Sequence, residues 1–223
     1  MPKLSGDISN EGMLDLSWAQ TEEDLKGITS LTNIGMIRIP VNLMGVISAI
    51  PRTNVGFIYP IKPGLKKELF GQLRLTGDFL ARGDPETTLV VVGQFIVIPP
   101  VESVGFKDIS VIGQMILPRG SEAVISGKMS DLMGQIFYIT WDKGTPRFFL
   151  GNESIGQEYL ELLPEPAPWI IVGNINIEDN VTLELLRSSV PEIVLIGNIT
   201  APKSLVPLLQ VLTTEKVGNI TPR

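Results

Sequence analysis

Three stretches decide the architecture when set side by side: Ile109-Ser110-Val111-Ile112-Gly113-Gln114-Met115-Ile116-Leu117, Trp169-Ile170-Ile171-Val172-Gly173-Asn174-Ile175-Asn176-Ile177 and Ile193-Val194-Leu195-Ile196-Gly197-Asn198-Ile199. Each has a Gly-amide pair at its centre, with apolar residues at −4, −2, −1, +2 and often +4 from the glycine. Alternation over −4 and −2, and again over +2 and +4, is the period of a half-buried strand. The adjoining apolar residues at −2 and −1 read as a slip of phase at the glycine. The expected unit is therefore strand, Gly corner, strand and return.

Working outward, nine of the 22 glycines are followed by Gln or Asn, where chance at these frequencies would supply about two. Gly35, Gly56, Gly71, Gly93, Gly113, Gly134, Gly151, Gly173, Gly197 and Gly218 form a series with spacings 21, 15, 22, 20, 21, 17, 22, 24 and 21. A period near 20 residues suits one coil of a parallel solenoid, in which each coil stacks its strands on the one before. The fold predicted is a β-rich solenoid of about ten stacked coils, roughly 48 Å long at about 4.8 Å per coil, with parallel strands and Gly corners. Residues 181–187 and 204–212 have helical spacing, so the C-terminal repeats are expected to be α+β. Residues 1–30 read as an N-terminal arm and capping helix, with Thr21 as N-cap before Glu22, Glu23 and Asp24. Residues 31–223 read as the repeat solenoid, with a divergent insertion at 148–168.

In such a stack the amides after the corners face one another. Gln94, Gln114, Gln135, Asn174, Asn198 and Asn219 are predicted to form a hydrogen-bonded ladder. A solenoid also has open ends, which natural repeats usually cap. No further repeat follows Gly218 in the sequence, so Val217, Gly218, Asn219 and Ile220 are the expected oligomerisation edge. A closed dimer about a two-fold axis is favoured over a filament, because the opposite end carries the capping helix.

The segment Ile193-Val194-Leu195-Ile196-Gly197-Asn198 resembles the L-x-L-x-x-N core of leucine-rich-repeat proteins, as do Leu89, Val91 and Gln94, and Ile109, Val111 and Gln114, with Gln for Asn. That resemblance implies a horseshoe used for protein recognition. The stacked Gly-x-Ile pattern is also similar to that of bactofilins, which implies a cytosolic β-solenoid that polymerises.

Composition narrows the chemistry. The 223 residues contain no Cys and no His, which removes disulfides, thiolate nucleophiles, Ser-His and Cys-His catalysis and the usual zinc ligands. A net charge of −6 speaks against nucleic acid or an anionic membrane as partner. Met1-Pro2-Lys3-Leu4 opens no signal peptide, and no apolar run is long enough to span a bilayer, so the cytoplasm is the expected location. Glu153, Glu158, Glu161 and Glu165 are more simply a solvated helix face than a paired-carboxylate site, and Glu178-Asp179-Asn180 a polar turn. Arg82-Gly83-Asp84 reads as a loop. Phe137, Tyr138, Trp141, Phe148 and Phe149 read as core filling. No cofactor or metal site is expected. The function expected is a non-enzymatic structural or scaffolding protein that self-associates through a solenoid edge. The alternatives are a protein-recognition module using the strand face and, less favoured, a carbohydrate-acting β-helix enzyme.

Overall fold

A computed structural model describes residues 4–142 and 144–223. Met1 to Lys3, where the absence of a signal peptide was read, lie outside the described residues. The chain divides into two compact units, Met1–Gly64 and Leu65–Arg223.

The first unit holds a parallel three-stranded sheet of order β1-β2-β3, formed by Gly6–Asp15, Ile28–Pro40 and Arg52–Ile61. A short helix, α1 (Met44–Ala49), lies in the return between β2 and β3. The expected capping helix is a single 3-10 turn, Glu22–Asp24, closed by Asp24 Oδ2 accepting from the Thr21 N–H at 2.9 Å. It is also a return between two strands and not a cap, because residues 6–15 already form a strand of the repeat. Leu16, Leu25, Leu31, Ile34, Ile37, Ile39 and Ile47 make this unit's core.

The second unit holds two parallel four-stranded sheets. One has the order β4-β5-β6-β7, from Leu65–Thr76, Thr87–Ile98, Asp108–Pro118 and Met129–Ile139. Its returns carry α2 (Gly77–Ala81) and α3 (Glu122–Ser126). The other has the order β11-β10-β9-β8, from Thr213–Pro222, Ile193–Ala201, Trp169–Ile177 and Arg147–Ile155, with α4 (Gln157–Glu161), α5 (Leu183–Ser189) and α6 (Val206–Leu212) between them. The parallel, strand-rich reading therefore holds. The single stack of ten does not, since the strands are shared among three sheets. Residues 148–168 do not stand apart as an insertion, because they carry most of β8 and all of α4.

The two breaks have a physical cause. Within a sheet the returns run from nine to fifteen residues, but β3 and β4 are joined by three and β7 and β8 by seven. A parallel neighbour must start where the previous strand started, so the return has to cover a strand's length, about 26–36 Å for 9–12 residues. Three residues reach at most about 14 Å, and seven only about 28 Å when pulled taut. The spacings of 15 and 17 residues in the glycine series fall at these two breaks.

The Gly corner is also corrected. Positions −4, −2, +2 and +4 share one parity, so each strand runs straight through its glycine and keeps these residues on one face. In the second sheet Leu89, Val91, Phe95, Val97, Ile109, Val111, Met115 and Leu117 pack under the return layer with Leu80, Phe106 and Ile125. In the third, Trp169, Ile171, Ile175, Ile193, Leu195 and Ile199 pack under Leu160, Leu186, Leu205 and Leu209. The apolar residue at −1 belongs to the opposite face. There Ile96, Ile116, Phe137 and Ile139 meet Ile170, Val194 and Ile196 of the facing sheet. The unit is thus four layers, returns on sheet on sheet on helices.

Candidate functional site: the glycine and amide stacks

Register makes the repeat a physical object. Gly71, Gly93, Gly113 and Gly134 are directly paired across the second sheet, and Gly151, Gly173, Gly197 and Gly218 across the third. All eight have positive φ, between +95° and +147°, a region that L side chains rarely adopt. A second constraint adds to the first: a Cβ on Gly113 would lie 2.1 Å from the carbonyl oxygen of Gly93, and one on Gly197 would lie 1.9 Å from that of Gly173. Each glycine after the first of its sheet leaves room for the backbone of the glycine before it.

The first sheet divides the two duties. Asn10, Asn33 and Asn54 carry the left-handed φ of +62°, +53° and +53°, which Asn tolerates because its short amide can bond locally. Gly35 and Gly56 supply the missing Cβ, which would otherwise sit 2.6 Å from the carbonyls of Gly12 and Gly35. The signal was present in the sequence as Asn-x-Gly at 10–12, 33–35 and 54–56, but a search for an amide after the glycine passes over an amide two residues before it. Gly12 is thus an eleventh member of the series.

The amides lie along the stacks. Gln72 Nε2 donates to Gln94 Oε1 at 2.7 Å, and Gln94 Nε2 to Gln114 Oε1 at 2.8 Å; Gln135 is in register beside Gln114. In the third sheet Asn174 Nδ2 donates to Asn152 Oδ1 at 2.7 Å and Asn198 Nδ2 to Asn174 Oδ1 at 2.9 Å. Asn219 enters through its backbone, its N–H donating to Asn198 Oδ1 at 3.3 Å. The first sheet has its own ladder, Asn33 to Asn10 at 3.1 Å and Asn54 to Asn33 at 2.8 Å. Gln94 and Gln114 lie on the opposite face from Leu89 and Val91.

Val217, Gly218, Asn219 and Ile220 lie on β11, an end strand of the third sheet, and Gly218 and Asn219 are exposed. The opposite end strand is β8, exposed from Leu150 to Ser154.

The other candidates fall into structural roles. Glu158 and Glu161 lie on α4, with Glu161 Oε1 accepting from Gln157 Nε2 at 2.6 Å, and Asp179 pairs with Arg223 at 2.7 Å. Among the described residues no group of three or more acidic, His or Cys side chains is placed to hold a metal ion. Asp84 closes a turn, accepting from the Glu86 N–H at 3.0 Å and the Thr87 hydroxyl at 2.8 Å, bonds that hold its carboxyl below the usual range. The aromatics divide among three cores: Phe149 stands edge-on to Trp169 at 5.1 Å under the helices, Phe137 lies between the sheets with Trp141 and Phe148 against it, and Tyr138 packs against the core of the second sheet's return side. The Arg74 guanidinium lies 3.9 Å from the Phe148 ring centre.

One buried acid escaped the sequence reading. Glu192, 4% exposed, precedes β10 and accepts from the Thr140 N–H at 3.0 Å, Thr214 Oγ1 at 2.7 Å and Arg119 Nη2 at 2.9 Å. It ties the ends of β6 and β7 to β11. Burial pushes its carboxyl up, but the hydroxyls of Thr214 and Thr140 and the guanidinium of Arg119 outweigh that and hold it below the usual range. Only its place outside the glycine pattern distinguishes it in the sequence.

Fold and stacks together define a repeat protein of parallel sheets whose repeated amides bond to their equivalents on neighbouring strands. Comparison with protein-family models, with curated proteins and with solved structures finds no match.

Proposed function

We propose that this chain is a non-enzymatic structural or scaffolding protein of the cytoplasm, each sheet with its returns forming a short solenoid, and that it self-associates through an exposed sheet edge. The observation that carries this reading is the third sheet, whose end strands β8 and β11 both present exposed backbone. A parallel sheet with open ends is a template for further strands. Further support comes from the side chains: the repeated polar residues bond along the stack and do not converge on a common centre. No helix among the described residues is long and apolar enough to cross a membrane. Light scattering of the whole chain over a hundred-fold range of concentration tests the proposal: the mean mass rises with concentration, and a monomer throughout refutes it.

A second reading, recognition of a protein by the strand face, is favoured by one feature. Asn152, Asn174, Asn176 and Thr200 border an open hollow of about 440 Å³ on the third sheet. It predicts a binding-competent monomer whose affinity for a partner falls when Asn176 is replaced by Arg.

A further inference from the structure

The third sheet has a direction. From Gly173 onward each glycine sets its bare Cα against the carbonyl of the glycine before it, and an added Cβ would lie 2.0 Å from that oxygen at Gly173, 1.9 Å at Gly197 and 1.7 Å at Gly218. Gly151 begins the series, and a Cβ there would meet nothing within 4 Å. Gly218 ends it, with no later glycine against its carbonyl. The amide ladder runs in the same sense, Asn198 to Asn174 to Asn152. The end at β8 therefore offers a bare glycine and the Asn152 amide N–H groups, and the end at β11 offers the Gly218 carbonyl and the Asn219 side chain. The return layer ends similarly. Among the described residues the two most exposed large apolar side chains are Leu162, just after α4, and Val211, on α6, at 82% and 78%, and they belong to the first and last returns of this sheet.

We infer that copies of this chain add head to tail, β8 of one copy pairing in parallel with β11 of the next, Gly151 on Gly218 and Asn152 Nδ2 donating to Asn219 Oδ1. The inference rests on the proposed self-association and deepens it by naming both surfaces and the register. It replaces the expected two-fold dimer. Pairing β11 with its own copy runs the strands antiparallel, leaves the bare side of Gly151 unused and keeps Leu162 in water. A head-to-tail contact uses two different patches and does not close on itself unless its rotation closes a ring, so assembly continues in one direction. Each copy adds four strands, about 19 Å, to the stack. Pro222, which cannot donate, occupies the last paired position of β11, so it costs the junction no more than its final bond.

The chain has no cysteine, so engineered thiols report the junction alone. Extending the register by one strand places Ser154 of one copy beside Thr221 of the next, at the neighbour distance of about 4.8 Å that a disulfide spans. Expected results are a disulfide-linked pair when Ser154→Cys and Thr221→Cys proteins are mixed under mild oxidation, no link from either alone, and a ladder of multimers from the double variant. Gly151→Ala carries the backbone strain of its φ of +95° but meets no neighbour within the copy, so it is expected to remain folded at low concentration, checked by circular dichroism, and to stop growth by meeting the Gly218 carbonyl of the next. Self-linking of Thr221→Cys with a mass that levels off at the dimer overturns the head-to-tail inference and leaves self-association standing. A wild-type monomer at every concentration, with no links, overturns both.

Discussion

Replacing Gly113 and Gly71 in turn by Ala separates the two demands made on the repeated glycines. Both have positive φ, +128° and +104°, but a Cβ on Gly113 meets the Gly93 carbonyl oxygen at 2.1 Å, whereas one on Gly71 meets nothing within 4 Å. Backbone strain is shared by the two variants and costs about 1–3 kcal/mol in each. Only Gly113→Ala must also move a neighbouring strand. Opening the contact to an ordinary separation shifts β6 by roughly 1 Å from β5, which breaks or stretches two or three ladder bonds at about 1 kcal/mol net each. Gly113→Ala is therefore expected to lose about 2–3 kcal/mol more than Gly71→Ala. In equilibrium urea unfolding followed by far-UV circular dichroism, at one low protein concentration, that difference is a midpoint lower by about 1–1.5 M for a slope near 2 kcal/mol/M. Midpoints for the two variants within about 0.3 M of each other would show that φ alone selects glycine, and the stacking argument fails.

Glu192→Ala leaves the Thr140 N–H and Thr214 hydroxyl without their acceptor and is expected to cost about 3 kcal/mol by chemical denaturation. Because the folded-state pKa of Glu192 is lowered, its ionised form contributes stability above the unfolded value of about 4.3 that is lost as pH falls through the lower folded value. The stability gap between wild type and Glu192→Gln should thus shrink below about pH 4; a gap constant from pH 7 to pH 3 excludes the linkage. In the amide ladder, Asn198→Ala removes a donor to Asn174 and an acceptor for the Asn219 N–H, an expected loss of about 1 kcal/mol at this exposed site. Asn219→Ala, whose own bond is made by the backbone, should unfold within about 0.5 kcal/mol of wild type, and equal losses for the two remove the energetic role of the ladder. Trp169→Ala, at a fully buried position, is expected to cost about 3–5 kcal/mol, read as a lowered urea midpoint.

Most of the strand layer was legible because the glycine imposes a backbone requirement that no other residue meets, so it recurs in register with little drift. The places that misled have local causes. The pair Val172 and Ile171 looks like a slip of phase only if one face of the strand is assumed to be buried. Both faces are buried here, so −1 and −2 are apolar for different neighbours. Residues 6–15 resemble an arm in sequence because Asn10 and Gly12 divide between them what Gly113 does alone. The breaks at 62–64 and 140–146 were visible as short spacings, and reading them needed the reach of the chain as well as its periodicity. Glu192 was not legible at all, because its partners Arg119, Thr140 and Thr214 are distant in sequence and belong to no repeat.

That both faces are apolar also bears on why the strands are divided among sheets. The returns cover only one face of a parallel sheet, and strands buried on both faces need a second layer. A single continuous stack would leave Ile116, Ile170, Val194 and Ile196 in water, at about 1.5–3 kcal/mol for each large side chain left exposed. The seven-residue connection after β7 prevents the next strand from continuing its sheet in parallel, and β8 instead begins a second sheet whose face closes over the first. The residues at −3, −1 and +3 make that closure favourable, and the short connection makes it available. The same closure leaves the strand edges untouched, since facing sheets satisfy side chains and not the N–H and C=O groups of β8 and β11. The middle strands thus bury both faces within one copy, Phe70, Leu132, Met133 and Leu150 on the end strands staying exposed, while the ladder of backbone bonds remains open at both ends of the third sheet, and only another strand can extend it.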